Sequence, residues 1–263
     1  MMLRRIISVA LTCIVLFNLM PQAFSTNDAA DSVEHGEDEL TEETETMPAS
    51  EDEEEASSAA SEVENPADWD AMFADMTWTG DWRKDLVAAA ATQVGYKESS
   101  TNYIMVPDSY GYRYTRCGYS RYGHWYDMSD EEYMYRPWCA MFISFCMYYA
   151  GIPSEKLPYD CDCVSWRDAL IAIGCYEGEE DKYVAQSGDL IFFNWELGIR
   201  GTHELPEHVG IVESVDDMVY TIEGNADASS SVVRRSYAKD DLFIVGYCNM
   251  SRAMELAGWQ SST

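Results

Sequence analysis

Basic residues are scarce in this 263-residue chain. Seventeen Lys and Arg stand against 47 Asp and Glu, giving a formal net charge of -30. Nucleic-acid binding draws most of its affinity from cationic groups, so the balance argues against it. It argues equally against electrostatic capture by an anionic membrane or cell-wall surface. No two cysteines have CxxC spacing, which lowers the case for a thiol-redox protein. No Cys/His cluster has zinc-ligand spacing, and neither metal nor cofactor is expected. No internal repeat and no wall-binding repeat is present. The apolar run at 6–20 covers only about 15 residues, where a membrane span needs about 20.

That run follows Arg4 and Arg5 and precedes Ala23-Phe24-Ser25, a small-x-small pattern. Residues 1–25 therefore read as a secretory signal peptide, and the mature protein as secreted and extracellular, without a membrane anchor after cleavage. Of eight cysteines, Cys13 leaves with the signal, so seven remain. An exported protein can form disulfides, and an odd count leaves at least one thiol unpaired. Residues 26–66 contain no Lys or Arg and little apolar surface; they read as an acidic, self-repelling, disordered linker. A folded domain at 67–250 and a short tail at 251–263 complete the chain.

Within the domain, "WRKDLVAAAATQVG" at 82–95 has helical apolar spacing and a closing glycine. A long aromatic loop is expected at 110–138, then a helix from about Cys139, and a shorter helix at 164–173. From Gly188 the period changes to two. "GDLIFFNW", "HVGIVESV", "MVYTIEG", "SVVRRSY" and "LFIVGYCN" are five strand candidates, with "VDDMV" as a hairpin turn. Helices followed by an antiparallel sheet of about five strands make an α+β fold.

The stretch "PWCAMFISFCMYYAGIP" at 137–153 is apolar all round, and Pro137 fixes its start near Trp138–Cys139. Cys139 thus sits where unpartnered N–H groups and the helix dipole stabilise a thiolate. Cys146, seven residues on, lacks that setting and reads as an inert core thiol. A nucleophilic cysteine needs a base. His208 starts a strand on the same face as Gly210 and Val212, whereas His124 and His203 fall in loops. The next strand ends in "TIEGN", and either Glu223 or Asn225 can hold the imidazole in one tautomer. Tyr122, Trp125, Tyr126 and Trp138 are candidates to line a substrate groove. "DMSDEEYMY" offers Asp127, Asp130, Glu131 and Glu132, but not the alternating oxygen ligands of a calcium loop.

Taken in order, "WCAMFISFC", "SGDLIFF", "HVGIVESV" and "VYTIEGN", preceded by "QVGYKES" and "GYSRYGHWY", resemble the CHAP family of cysteine, histidine-dependent amidohydrolases and peptidases over about residues 82–249. The resemblance implies a papain-like α+β fold and hydrolysis of peptidoglycan amide bonds. It implies Cys139 as nucleophile, His208 as base, Glu223 as orienting residue and Asn225 as a fourth polar member. The expected protein is a monomeric, cell-wall-associated muramoyl-alanine amidase or peptide endopeptidase. A catalytically silent wall-binding module on the same fold is the alternative.

Overall fold

The computed structural model describes residues 63–107, 111–178, 181–195 and 205–259. The signal peptide, the linker up to residue 62 and His203 lie outside the described residues. The chain divides into two units, and the main body spans 61–106 and 116–263. The described residues of the other unit are Pro107 and 111–115. Among the described residues, no helix is long and apolar enough to cross a membrane.

The body begins earlier than composition suggests. Helix α1, Pro66–Phe73, starts with a proline behind the cap Asn65, whose side chain accepts from the Ala67 N–H. Trp69 and Phe73 are buried, and Glu64 accepts from the Trp69 indole at 2.9 Å and pairs with Arg121. Residues 63–66 are therefore not linker. The Glu64 carboxylate is tied to one buried indole and one guanidinium. Helix α2, Trp82–Thr92, is capped by Asp81 and buries Leu86, Ala89 and Ala90.

The expected aromatic loop is mostly regular. Strands β1, Tyr103–Pro107, and β2, Tyr114–Gly118, form a two-stranded sheet. Helix α3, Arg121–Tyr126, and a 3-10 turn, Glu131–Tyr135, follow. Their caps, Ser120 and Asp130, are short polar residues that sequence reading passed over among the tyrosines. Helix α4, Cys139–Tyr149, is buried continuously from Cys139 to Met147, as its all-round apolar surface requires. Helix α5, Cys163–Ile173, runs from the cap Asp162 to Gly174, which ends it at φ 79°.

Six strands form the main antiparallel sheet, in the order β3-β8-β4-β5-β6-β7. They are β3 Tyr176–Gly178, β4 Leu190–Phe193, β5 His208–Val215, β6 Val219–Ala226, β7 Ser231–Tyr237 and β8 Ile244–Cys248. Five match the alternating segments. The sixth, β3, is three residues long, too short to show a period, and pairs with β8. The fold is α+β, as expected, with one strand more. Helix α6, Met250–Leu256, corrects the expected tail. Ala253 and Met254 are buried, the Met250 N–H donates to Asp189 at 2.9 Å, and Trp259 donates to the Gly80 carbonyl.

Alternation gives the sheet two apolar faces. Leu190, Phe192, Val209, Ile211 and Ile222 join α4 in the main core. Ile191, Phe193, Val212 and Val219 belong to a second cluster. Gly224 faces α4: a Cβ there would lie 2.6 Å from Phe142 Cγ, so the missing side chain lets the helix sit directly on β6. Phe142→Ala should cost about 3–5 kcal/mol, because a fully buried ring leaves a cavity between helix and sheet. The urea midpoint measures it, and a change under about 1 kcal/mol would contradict this packing.

Candidate active site

Trp138 forms the N-cap of α4 but makes no side-chain capping bond. The first intrahelical bond runs from the Phe142 N–H to the Trp138 carbonyl, 2.8 Å. The N–H groups of the first turn therefore have no partner within the helix, and the positive end of its dipole lies at Cys139. Cys139 is 6% exposed. Its sulfur lies 3.7 Å from the sulfur of Cys163. It also takes hydrogen bonds from His208 and from the Val209 backbone, so α4 meets the sheet at the first residues of β5.

These contacts decide the state of the thiol. A hydrogen bond from Cys163 is the largest influence and favours the thiolate; burial opposes it; the His208 bond and charge favour it again. The outcome is a Cys139 thiol held well below its ordinary range. Cys146 is the contrast within the same helix. Burial alone acts on it and pushes it well above that range.

His208 Nε2 lies 2.9 Å from Glu223 Oε2, which leaves Nδ1 as the ring nitrogen for the sulfur. Burial would lower the imidazole pKa, but the bonds and charges of Cys139 and Glu223 outweigh it and push it up to about 10. Burial likewise opposes ionisation of Glu223, and the His208 bond prevails, leaving the carboxyl below its usual value. Thiolate, imidazolium and carboxylate thus form one buried line of alternating charge.

Thr221, absent from the sequence expectations, holds Glu223, and Gly210, expected only as open space beside His208, makes room for it. The Thr221 hydroxyl donates to Oε1 at 2.5 Å. Gly210 lies opposite Glu223 in the β5–β6 register, one step on from the Ile211–Ile222 pair. A Cβ on Gly210 would come 2.7 Å from Glu223 Cγ, so the carboxylate reaches His208 across a bare stretch of backbone. The helix core takes the opposite face of these strands, through Val209, Ile211 and Ile222, while His208, the first residue of β5, bonds Cys139.

The other expected site residues fall elsewhere. Asn225 is half-buried with φ 55°, at the irregularity between Glu223 and Ala226, so strict alternation with Glu223 fails there. Glu223, not Asn225, makes the bond to His208 Nε2. Tyr122 and Trp138 are wholly buried and stack at 4.9 Å, with the Tyr122 hydroxyl on Gln93 and the Trp138 indole on Glu98. They pack beneath the start of α4 and cannot line a groove. Trp125 and Tyr126 are half-buried, against Phe145 and Tyr133 respectively. His124 is not in a loop but buried in α3, with Nδ1 on the Tyr119 hydroxyl at 2.8 Å. The carboxylates of Asp127 and Asp130 accept from the Ser129 and Glu132 N–H groups of their own turns. Cys163 was also missed, although "DCDCVSW" places it, like Cys139, at the opening of a helix.

A thiol at a helix start, an imidazole at a strand mouth and a carboxylate behind it can carry out thiol-dependent acyl transfer. The family model described as the CHAP domain matches residues 130–225, the segment that contains Cys139, His208 and Glu223. That segment is thus similar to the CHAP domain, a class associated with peptidoglycan amide hydrolysis. No curated protein matches the chain. One similar solved structure is titled "The crystal structure of Ly7917", at 13% identity and TM-score 0.34, covering 63% of this chain. The chain spans 61% of the length of that protein.

Proposed function

We propose that the protein is a secreted peptidoglycan hydrolase that cleaves an amide bond through Cys139. The observation that carries this reading is the line from the uncapped start of α4 through His208 to Glu223. The Cys139 thiolate attacks the amide carbon. The N–H groups left without partners in the first turn receive the developing oxyanion, each such donor being worth about 2.7–4 kcal/mol. The His208 imidazolium gives its proton to the leaving amine, and Glu223 holds the ring so that the proton points the right way. The amine departs, leaving an acyl-thioester on Cys139. His208, now neutral, takes a proton from water, and hydroxide attack frees the carboxylate product and restores the thiolate.

The signal-peptide pattern at 1–25 supports a site of action outside the cell, where the wall is. The bond cut is either the muramoyl-alanine amide or one within a stem or cross-bridge peptide. Digestion of purified peptidoglycan, with identification of the newly exposed amino and carboxyl groups, separates the two. Cys139→Ala should remove all release of such groups while leaving the fold intact. Wall digestion that persists undiminished in that variant rules the mechanism out.

A further inference from the structure

The mechanism above leaves Cys163 without a covalent role, yet the chain places that thiol with care. Cys163 is the first residue of α5, as Cys139 is of α4, and the two sulfurs are in van der Waals contact at 3.7 Å. The turn that delivers Cys163 is bolted to the helix that bears Cys139. On α4, the buried Ser144 hydroxyl donates to the Asp160 carbonyl at 2.9 Å and accepts from the Asp160 N–H at 3.1 Å. The Asp160 carboxylate then accepts from the N–H groups of Cys161 and Asp162, and Asp162 caps α5 through the Ser165 N–H. Both sulfur-bearing residues keep a little exposure, 6% each, so a small oxidant can reach them.

We propose that Cys163 is a resolving thiol for Cys139: a hydroperoxide oxidises the Cys139 sulfur, and Cys163 captures the product as a Cys139–Cys163 disulfide. The masking of activity that follows rests on the hydrolase reading; the disulfide chemistry does not. In the first step the thiolate electron pair attacks a peroxide oxygen. The O–O bond breaks, an S–O bond forms, and the departing oxygen leaves as alcohol or water with the proton from His208. Cys139 is now a sulfenic acid. In the second step the Cys163 sulfur attacks the Cys139 sulfur. The S–S bond forms, the S–O bond breaks, and hydroxide leaves as water with the Cys163 proton. Two thiols lose two electrons and one peroxide gains them. A dithiol reductant reverses the state by exchange.

The electrostatics time the second step. While Cys139 is a thiolate, its hydrogen bond and charge, together with burial, hold the Cys163 proton in place. Conversion to a neutral sulfenic acid removes that charge and frees Cys163 to ionise. A disulfide needs an S–S distance of about 2.0 Å, which two sulfurs already in contact can reach by small side-chain rotations. Capture also protects Cys139 from the irreversible sulfinic and sulfonic states. Cys175 and Cys248 offer a comparison: their sulfurs are 3.8 Å apart, but both residues are fully buried.

The experiment treats the full chain with a modest excess of hydrogen peroxide and maps cysteines by mass spectrometry. The expected result is a Cys139–Cys163 linked peptide and loss of Cys139 alkylation, both reversed by dithiothreitol. In Cys163→Ser, the same peroxide should leave Cys139 as sulfinic or sulfonic acid that dithiothreitol does not rescue. A link between Cys175 and Cys248 alone, with Cys139 still alkylated, overturns the proposal. So does full dithiothreitol recovery in Cys163→Ser. Wild-type mapping decides the matter even if the serine variant fails to fold, and no readout depends on wall hydrolysis.

Discussion

Exchanging His208 for alanine is expected to lower peptidoglycan hydrolysis by about 10²–10⁴-fold, the range of a lost general acid–base group. The same variant should change a property that does not need substrate. In the intact protein, Cys139 should react with a small alkylating agent well below pH 8, because Cys163, His208 and the helix start hold it as thiolate. Without the imidazole, one bond and the adjacent positive charge are gone, so the thiolate is less favoured and the alkylation profile moves to higher pH. It should not return fully to that of an ordinary thiol, since Cys163 and the helix dipole remain. Stability should fall too. Glu223 is fully buried, and once its partner is removed it keeps the Thr221 hydroxyl, with Arg235 4.0 Å away and Tyr237 close by. Breaking a buried pair in this way costs about 3–5 kcal/mol. An unshifted profile, with Cys146 or Cys117 alkylated ahead of Cys139, would remove the basis of the site.

Gly210→Ala should be nearly as damaging, though Gly210 touches none of the reacting atoms. The added methyl would sit 2.7 Å from Glu223 Cγ, a distance real Cβ atoms do not tolerate. Glu223 cannot retreat easily, because Thr221 holds its other oxygen and the residue is fully enclosed. Either the carboxylate leaves His208 or β5 and β6 separate locally. Overpacking of this kind costs about 1–3 kcal/mol in stability. The larger expected effect is on turnover: loss of the orienting carboxylate should lower kcat by on the order of 10²-fold or more, with KM little changed. Glu223→Gln supplies the comparison, since it keeps the shape and removes the charge. If Gly210→Ala loses stability but keeps full kcat, the crowding does not reach Glu223.

Much of this arrangement is legible in the chain. Pro137 and the apolar run after it fix the start of α4, and the period of two fixes five strands. The β-hairpin between 215 and 219 puts Glu223 beside the strand of His208. What escaped reading did so for physical reasons. Tyr122 and Trp138 belong to a segment rich in aromatic residues, where composition does not distinguish a groove from a core. The ring partners of Tyr122, namely Tyr96, Phe142 and Phe145, come from other parts of the chain. Glu64 looks like one more acid in an acidic tract until Trp69 and Arg121 fold against it. Asn225 follows Glu223 by the two-residue rule, but the backbone turns left-handed at that point. Gly210 shows in the sequence as a gap on the face of His208, but only the cross-strand register reveals that it and Thr221 act on Glu223.

The nucleophile and its base come from different layers, one from a helix and the other from the mouth of a strand beyond it. Until β5 and β6 have paired and α4 has settled on Gly224, the sulfur of Cys139 has no more reactivity than any thiol in an unfolded peptide. The acyl-transfer chemistry proposed for Cys139 is thus a property of the finished tertiary structure and of no single segment of the chain.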